Sequence, residues 1–173
     1  PAVQIGKIII KLAEFFTEYQ PDLVIVPGDV NSTLAASIAA NKTGCLLAHL
    51  ESGLRSNDRL MPEEHNRILT DQLAEHLFVT EQSGIDNLKR EISENRGVHF
   101  VGNTMIDTLV AFDQQIQASP ILEKINVRKG EFALMTMHRP SNVDTKQGLE
   151  KMLEVIDFIT SRRILVFPIH PRT

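Results

Sequence analysis

Four acids and two histidines stand where they could do chemistry. Asp29 follows Gly28 at the end of an apolar run, Glu51 opens "ESGLR", and Glu63 and Glu64 follow Pro62 in "MPEEHNR". Further along, His138 and Arg139 open "HRPSN", and His170 lies in "PIHPRT". Carboxylates held close together suit general acid–base work. Like charges drive their proton affinities apart, so one can accept a proton while another donates. Histidines and arginines nearby would stabilise an anionic leaving group. Each residue also has an ordinary reading. Asp29 and Ser32 suit a helix cap. Glu63 and Glu64 in a first helical turn favour the helix dipole. For Glu64 that is the whole reading, so Glu64→Gln is expected to be tolerated where Glu63→Gln is not. Gly102-Asn103-Thr104 reads as a turn and cap. The spacing alone shows neither a metal site nor a Ser-His-Asp triad, and Gly-x-Gly-x-x-Gly is absent.

These groups share one position: they follow predicted strands. Ile5, Ile8, Ile9, Leu12 and Phe16 mark an amphipathic helix ending before Pro21. "DLVIVP" (22–27) reads as a strand buried on both faces. "STLAASIAANK" is a helix of small residues closed by Gly44, and "CLLAHL" is a second buried strand. Pro62 opens the next helix, with Ile68, Leu69 and Leu73 as its apolar side. "HLFVT", "EQSGIDNLKREI" and "VHFVG" continue the alternation. "TMIDTLVAFDQQIQ" is a helix with Ile106, Leu109, Val110 and Ile116 inward. Alternation throughout predicts parallel sheets with right-handed crossovers. Residues 1–118 form most of a first domain, 119–131 a charged linker, and 132–173 the start of a second domain with strands "FALMTM" and "RILVFPI". In open α/β sheets, ligands bind beyond the carboxyl ends of the strands. Arg55 and Asn103, which follow two of these strands, are therefore candidates for holding substrate.

Composition narrows the classes. The chain has 173 residues, 42% hydrophobic, with a formal charge of -4. That is globular, and it carries no basic footprint for nucleic acid. No apolar run approaches the roughly 20 residues of a membrane helix. The start lacks the basic segment and cleavage site of a signal peptide. The single cysteine, Cys45, excludes an internal disulfide and reads as a small buried hydrophobe, which suits a reducing cytoplasm. The chain opens directly into a helix and stops just after a strand, as expected of an interior piece of a longer protein.

Taken together, "GDVNSTLAASIAA", "HLESGLRS", "MPEEHNRILTDQLAEHLF", "GNTMIDTL", "HRPSNVD" and "PIHPRT" resemble, in order, the motifs of the non-hydrolysing UDP-N-acetylglucosamine 2-epimerases. The resemblance runs through almost the whole chain. It implies two Rossmann-like domains in the GT-B arrangement, no nicotinamide or other cofactor, a cytoplasmic homodimer, and UDP-GlcNAc and UDP as ligands. The product of such enzymes feeds surface polysaccharides. Asp29, Glu51 and Glu63 resemble the family's catalytic carboxylates, and His138 its histidine near the diphosphate. Arg139 and His170 resemble positions at which some members bind a second, activating UDP-GlcNAc. Ser141 departs from the acid many members carry there.

The implied reaction removes the C2 proton while UDP leaves C1, then returns UDP and protonates C2 on the other face. Basic residues before residue 1 and an acidic motif after residue 173 are expected to complete the site, so residues 1–173 alone are expected not to turn over. Two other readings remain open at this level. One is a GT-B glycosyltransferase, which would not need three acids around C2. The other is a nucleotide-sugar-binding module without catalysis. Within the epimerases, a diacetamido uronic acid sugar is a further possible substrate.

Overall fold

The structure, a computed structural model, describes residues 1–93, 96–137 and 140–171. The chain divides into two compact units, Pro1–Ala111 and Phe112–Thr173. The first unit contains helix α1 (Ala2–Tyr19), strand β1 (Leu23–Pro27), α2 (Asn31–Thr43), β2 (Leu46–Ser52), α3 (Pro62–Leu73), β3 (His76–Val79), α4 (Gln82–Glu91), β4 (Gly97–Phe100) and α5 (Thr104–Ala111). Its four strands lie in the order β1-β2-β3-β4, all parallel. The carboxyl ends of all four therefore form one edge, and Asp29, Glu51 and Asn103 follow or end strands there.

Local chemistry sets the element ends. Gln20 adopts a left-handed conformation at φ 46° and donates its N–H to the Phe16 carbonyl. Pro21 then cannot continue α1. Gly44, at φ 78°, closes α2 the same way. The small side chains of Ala35, Ala39 and Ala40 are fully buried and let α2 lie close on the sheet. Val26, Leu47, Leu77 and Val79 meet Phe16, Ala39, Ala40, Ala74 and Leu88 in one core on one sheet face.

The other face departs from expectation. β1 is not buried on both faces: Leu23 and Ile25 are exposed, Ile25 at 58%. Helices α2 and α4 contribute their buried residues to the Val26 side, which is where right-handed crossovers between sequential neighbours must put them. The expected inward stripe on α5 is also corrected. The helix breaks at Phe112, and Ile106, Leu109, Val110 and Ile116 are all exposed.

The second unit holds α6 (Asp113–Gln117), α7 (Ile121–Lys124), β5 (Phe132–Leu134), α8 (Pro140–Val143), α9 (Lys146–Thr160) and β6 (Ile164–Val166). β5 and β6 pair in parallel, from Phe132 against Ile164 to Leu134 against Val166. Thr145 caps α9 by accepting the Gly148 N–H on its hydroxyl at 3.0 Å.

One glycine fixes how the loop after β2 leaves the sheet. Gly53 sits at φ +81°, and a β-carbon there would lie 2.5 Å from the Gly84 carbonyl oxygen of α4. Asn87 of α4 donates its side-chain amide to the Gly53 carbonyl at 2.9 Å. The obstructing atoms are backbone and cannot rotate away. Gly53→Ala is therefore expected to cost at least about 2 kcal/mol, from left-handed strain plus overpacking. Urea unfolding measures this; a loss below about 0.5 kcal/mol would show that the close approach relaxes freely.

Candidate active site

Helix α3 buries a polar face. Its buried residues are Glu64, Asn66, Thr70 and Asp71, whereas Leu69 of the expected apolar side is half exposed. Pro62 occupies the first turn, where its missing N–H costs nothing. Glu63 and Glu64 then point to different sides, because successive helical residues are about 100° apart.

Glu64 is 2% exposed and fully engaged. It accepts from the Ser56 N–H at 2.9 Å, the Ser56 hydroxyl at 3.0 Å, the Asn57 N–H at 3.0 Å and Arg67 Nη1 at 3.1 Å. Burial alone would raise its pKa. The two backbone donors, the hydroxyl and the Arg67 charge outweigh burial and hold it below the ordinary glutamate value. The reading of Glu64 as a mere helix-end charge is thus corrected: it holds the loop that follows Glu51.

The same turn of α3 reaches the first strand end. Arg67 Nη2 forms an ion pair with the Asp29 carboxylate. Asn66 donates to the Asp29 carbonyl at 2.8 Å and to Asn31 Oδ1 at 3.2 Å. No side chain caps α2, whose N-cap position is Val30, so the capping reading of Asp29 and Ser32 does not hold.

Glu51 is aimed by a bulge. The β2–β3 register shifts between Leu50 and Ser52, and the extra residue, Glu51, takes φ 70°. Bulges of this kind re-aim a side chain at the end of a strand. The Glu51 carboxylate lies over Gly28, 3.8 Å from where a β-carbon on that glycine would stand. Among the described residues, the carboxylates of Glu51 and Glu63 have no hydrogen-bond or ion-pair partner.

Beneath this edge lies a second polar cluster. His49, fully buried, has Nδ1 at 2.6 Å from Asp71 Oδ1 and Nε2 at 2.9 Å from the Gly28 carbonyl oxygen. Asp71 Oδ2 also accepts from the Gly53 N–H at 3.1 Å and pairs with Arg55 Nη1 at 2.7 Å. Arg55 Nη2 reaches Glu91 Oε2 at 2.5 Å, and its side chain is 4% exposed. Burial opposes its charge, but the bonds to Glu91 and Asp71 prevail and hold its pKa above the ordinary value. Arg55, a candidate substrate ligand from the sequence, is instead enclosed in a buried network that braces the "ESGLR" loop.

Asn103 accepts the Met105 N–H at 2.9 Å on its side-chain oxygen, so it caps α5 at the same strand edge. His170 lies in the second unit, exposed after β6. His138 and Arg139 lie outside the described residues, as does the side chain of Ser141. The sequence reading missed Asp71 and Glu91 and left His49 and the Asn66-Arg67 pair without a role. The available signals were a histidine inside an apolar strand and polar residues recurring on one side of α3.

A family model described as UDP-N-acetylglucosamine 2-epimerase matches residues 1–173. The chain belongs to the UDP-N-acetylglucosamine 2-epimerase family. A UDP-N-acetylglucosamine 2-epimerase homologue of Methanococcus maripaludis is 41% identical, covering 98% of this chain and 47% of its own. A UDP-2,3-diacetamido-2,3-dideoxy-D-glucuronate 2-epimerase of Pseudomonas aeruginosa is 39% identical, over 97% of this chain and 47% of its own. The crystal structure of Methanocaldococcus jannaschii UDP-GlcNAc 2-epimerase in complex with UDP-GlcNAc and UDP matches with a TM-score of 0.88 and 38% identity, over 98% of this chain and 48% of that one. The chain thus spans about half the length of the curated relatives it matches. Its parallel α/β units are those of this GT-B-like epimerase family.

In this chain, Glu64 makes stability depend on pH in a defined direction. Its folded pKa lies below the unfolded value of roughly 4.3. Its stabilisation is therefore fully present above that value and is lost as pH falls through the lower folded pKa. Glu64→Gln would set an amide against donors that need an acceptor, and is expected to cost about 2 kcal/mol or more at neutral pH. Denaturant unfolding from pH 7 down to pH 3 is the check. The variant should lose stability less steeply than the parent in the acid range, and parallel curves would contradict this.

Proposed function

We propose that the full-length protein is a non-hydrolysing 2-epimerase that interconverts UDP-GlcNAc and UDP-ManNAc. One observation carries the reading. In the "PEEHNR" motif, Glu64, Asn66 and Arg67 are committed to framework, while Glu63 in the first turn of α3 and Glu51 on the bulge that ends β2 have no partner among the described residues. The Methanocaldococcus jannaschii relative in complex with UDP-GlcNAc and UDP supports the same ligands here.

In the proposed reaction a carboxylate takes the C2 proton. The C–H electrons become the C1=C2 double bond, and the C1–O electrons leave with UDP. Return of UDP to C1 and protonation of C2 on the opposite face give the epimer. Asp29, Glu51 and Glu63 supply the acid and base, and His138 stabilises the departing diphosphate. Removing a weakly acidic proton is feasible only if the leaving group is stabilised at the same time. Asn103 contributes to substrate binding through its amide. Arg139 and His170 belong to a site for a second UDP-GlcNAc, with Ser141 as the departure noted above. Residues 1–118 supply most of the first Rossmann-like domain, 119–131 the linker and 132–173 the start of the second. The enzyme works in the cytoplasm as a homodimer, and its product enters surface polysaccharide.

A second sugar deserves testing, because the Pseudomonas aeruginosa relative is named for a diacetamido glucuronate. Both substrates would be offered to the full-length protein in heavy water and followed by proton NMR. Deuterium is expected at C2 of recovered substrate and product. Epimer formed without C2 exchange would contradict elimination, and exchange with the uronate alone would change the sugar while keeping the chemistry.

Asp29→Asn, Glu51→Gln and Glu63→Gln are each expected to lower turnover by about a hundredfold or more, the usual scale for a general acid or base. Turnover assays on variants shown to be folded check this. Retention of turnover by the folded Glu63→Gln variant would remove Glu63 from the site.

A further inference from the structure

We propose that His49 is doubly protonated in the folded protein and acts as a positioning residue, joining the turn that carries Asp29 to the loop that follows Glu51. The catalytic consequence rests on the epimerase reading, whereas the protonation does not.

Hydrogen-bond inventory forces the charge. A carbonyl oxygen only accepts, so Nε2, at 2.9 Å from the Gly28 oxygen, must carry a proton. Nδ1 lies 2.6 Å from Asp71 Oδ1, too close for two acceptors facing one another. A proton stands between them. Asp71 Oδ2 receives the Gly53 N–H and lies 2.7 Å from Arg55 Nη1, whose permanent charge favours the ionised carboxylate over the neutral acid. The proton therefore belongs to the ring, and the ring is an imidazolium. A lone buried cation would be costly. Here the charges alternate, from His49 to Asp71 to Arg55 to Glu91, and together they cancel.

The placement gives the charge a task. Gly28 precedes Asp29, and Gly53 comes two residues after Glu51. The path from the Gly28 carbonyl through His49 and Asp71 to the Gly53 N–H ties these two turns together with three hydrogen bonds. A neutral ring could satisfy Gly28 or Asp71 but not both. The groups that face His49 are the Gly28 carbonyl from the β1–α2 turn and Asp71 from α3. Arg55 of the loop and Glu91 of α4 stand behind Asp71.

The test uses the full-length protein. Nitrogen-15 NMR of the histidine side chains at pH 7 should show both His49 nitrogens protonated. Asp71→Asn should abolish that signature. His49→Gln and Asp71→Asn should each lower kcat about tenfold or more with KM within about threefold, and the double variant should be no worse than the poorer single. If His49→Gln fails to fold, the spectrum of the unsubstituted protein and the Asp71→Asn variant decide. A singly protonated ring at pH 7 overturns the proposal, as does parental kcat in folded Asp71→Asn. A doubly protonated ring in a parent that shows no C2 exchange upholds the charge and sinks the epimerase reading instead.

Discussion

Burial of two carboxylates on one side of α3 is the constraint on which the site depends. Glu64 and Asp71 are seven residues apart, two helical turns, and both are almost wholly removed from solvent. A buried carboxylate is tolerable only if donors meet it in fixed directions. Those donors are the N–H groups of Gly53, Ser56 and Asn57, together with Arg55 and Arg67. The loop after β2 thus takes its course from charge and hydrogen bonding rather than from apolar packing. Through Arg67 and Asn66, the same helix also fixes the turn that carries Asp29.

This arrangement separates a committed carboxylate from a free one within a single motif. Glu64 is consumed by the loop it organises. Glu63, one residue earlier and on another side of the helix, is left uncommitted. Glu51 is placed by different means, a bulge and a left-handed backbone angle of 70°. Such backbone geometry costs a non-glycine residue of order 1–3 kcal/mol and persists only where the surroundings enforce it. Here the hydrogen-bonded loop and the contact between Gly53 and Gly84 enforce it. A strained acid held against a rigid turn suits proton transfer, where small displacements are costly.

Much of this was legible from residue order. Apolar runs separated by helical periodicity gave the strand–helix alternation and hence the parallel sheet, because period and length are local properties. Pro21 and Gly44 marked helix ends for local steric reasons. What escaped the sequence depended on partners far along the chain. Glu63 and Glu64 look alike until Ser56 and Asn57 are seen to converge on one of them. Arg55, in a loop after a strand, looked available for substrate until Asp71 and Glu91 were found around it, 16 and 36 residues away. The apolar residues of β1 and α5 suggested burial, but an apolar pattern does not say what covers it.

Hydrogen exchange at three loop amides tests the central claim most directly. Gly53, Ser56 and Asn57 donate to side-chain carboxylates of α3 rather than to a strand or helix ladder. If buried carboxylates organise the loop after β2, these amides should be protected to the degree of the amides within α3 and β2, since they open only when the network opens. Exchange as fast as that of unbonded loop amides, with α3 and β2 protected, would contradict the claim that α3 holds the site in place.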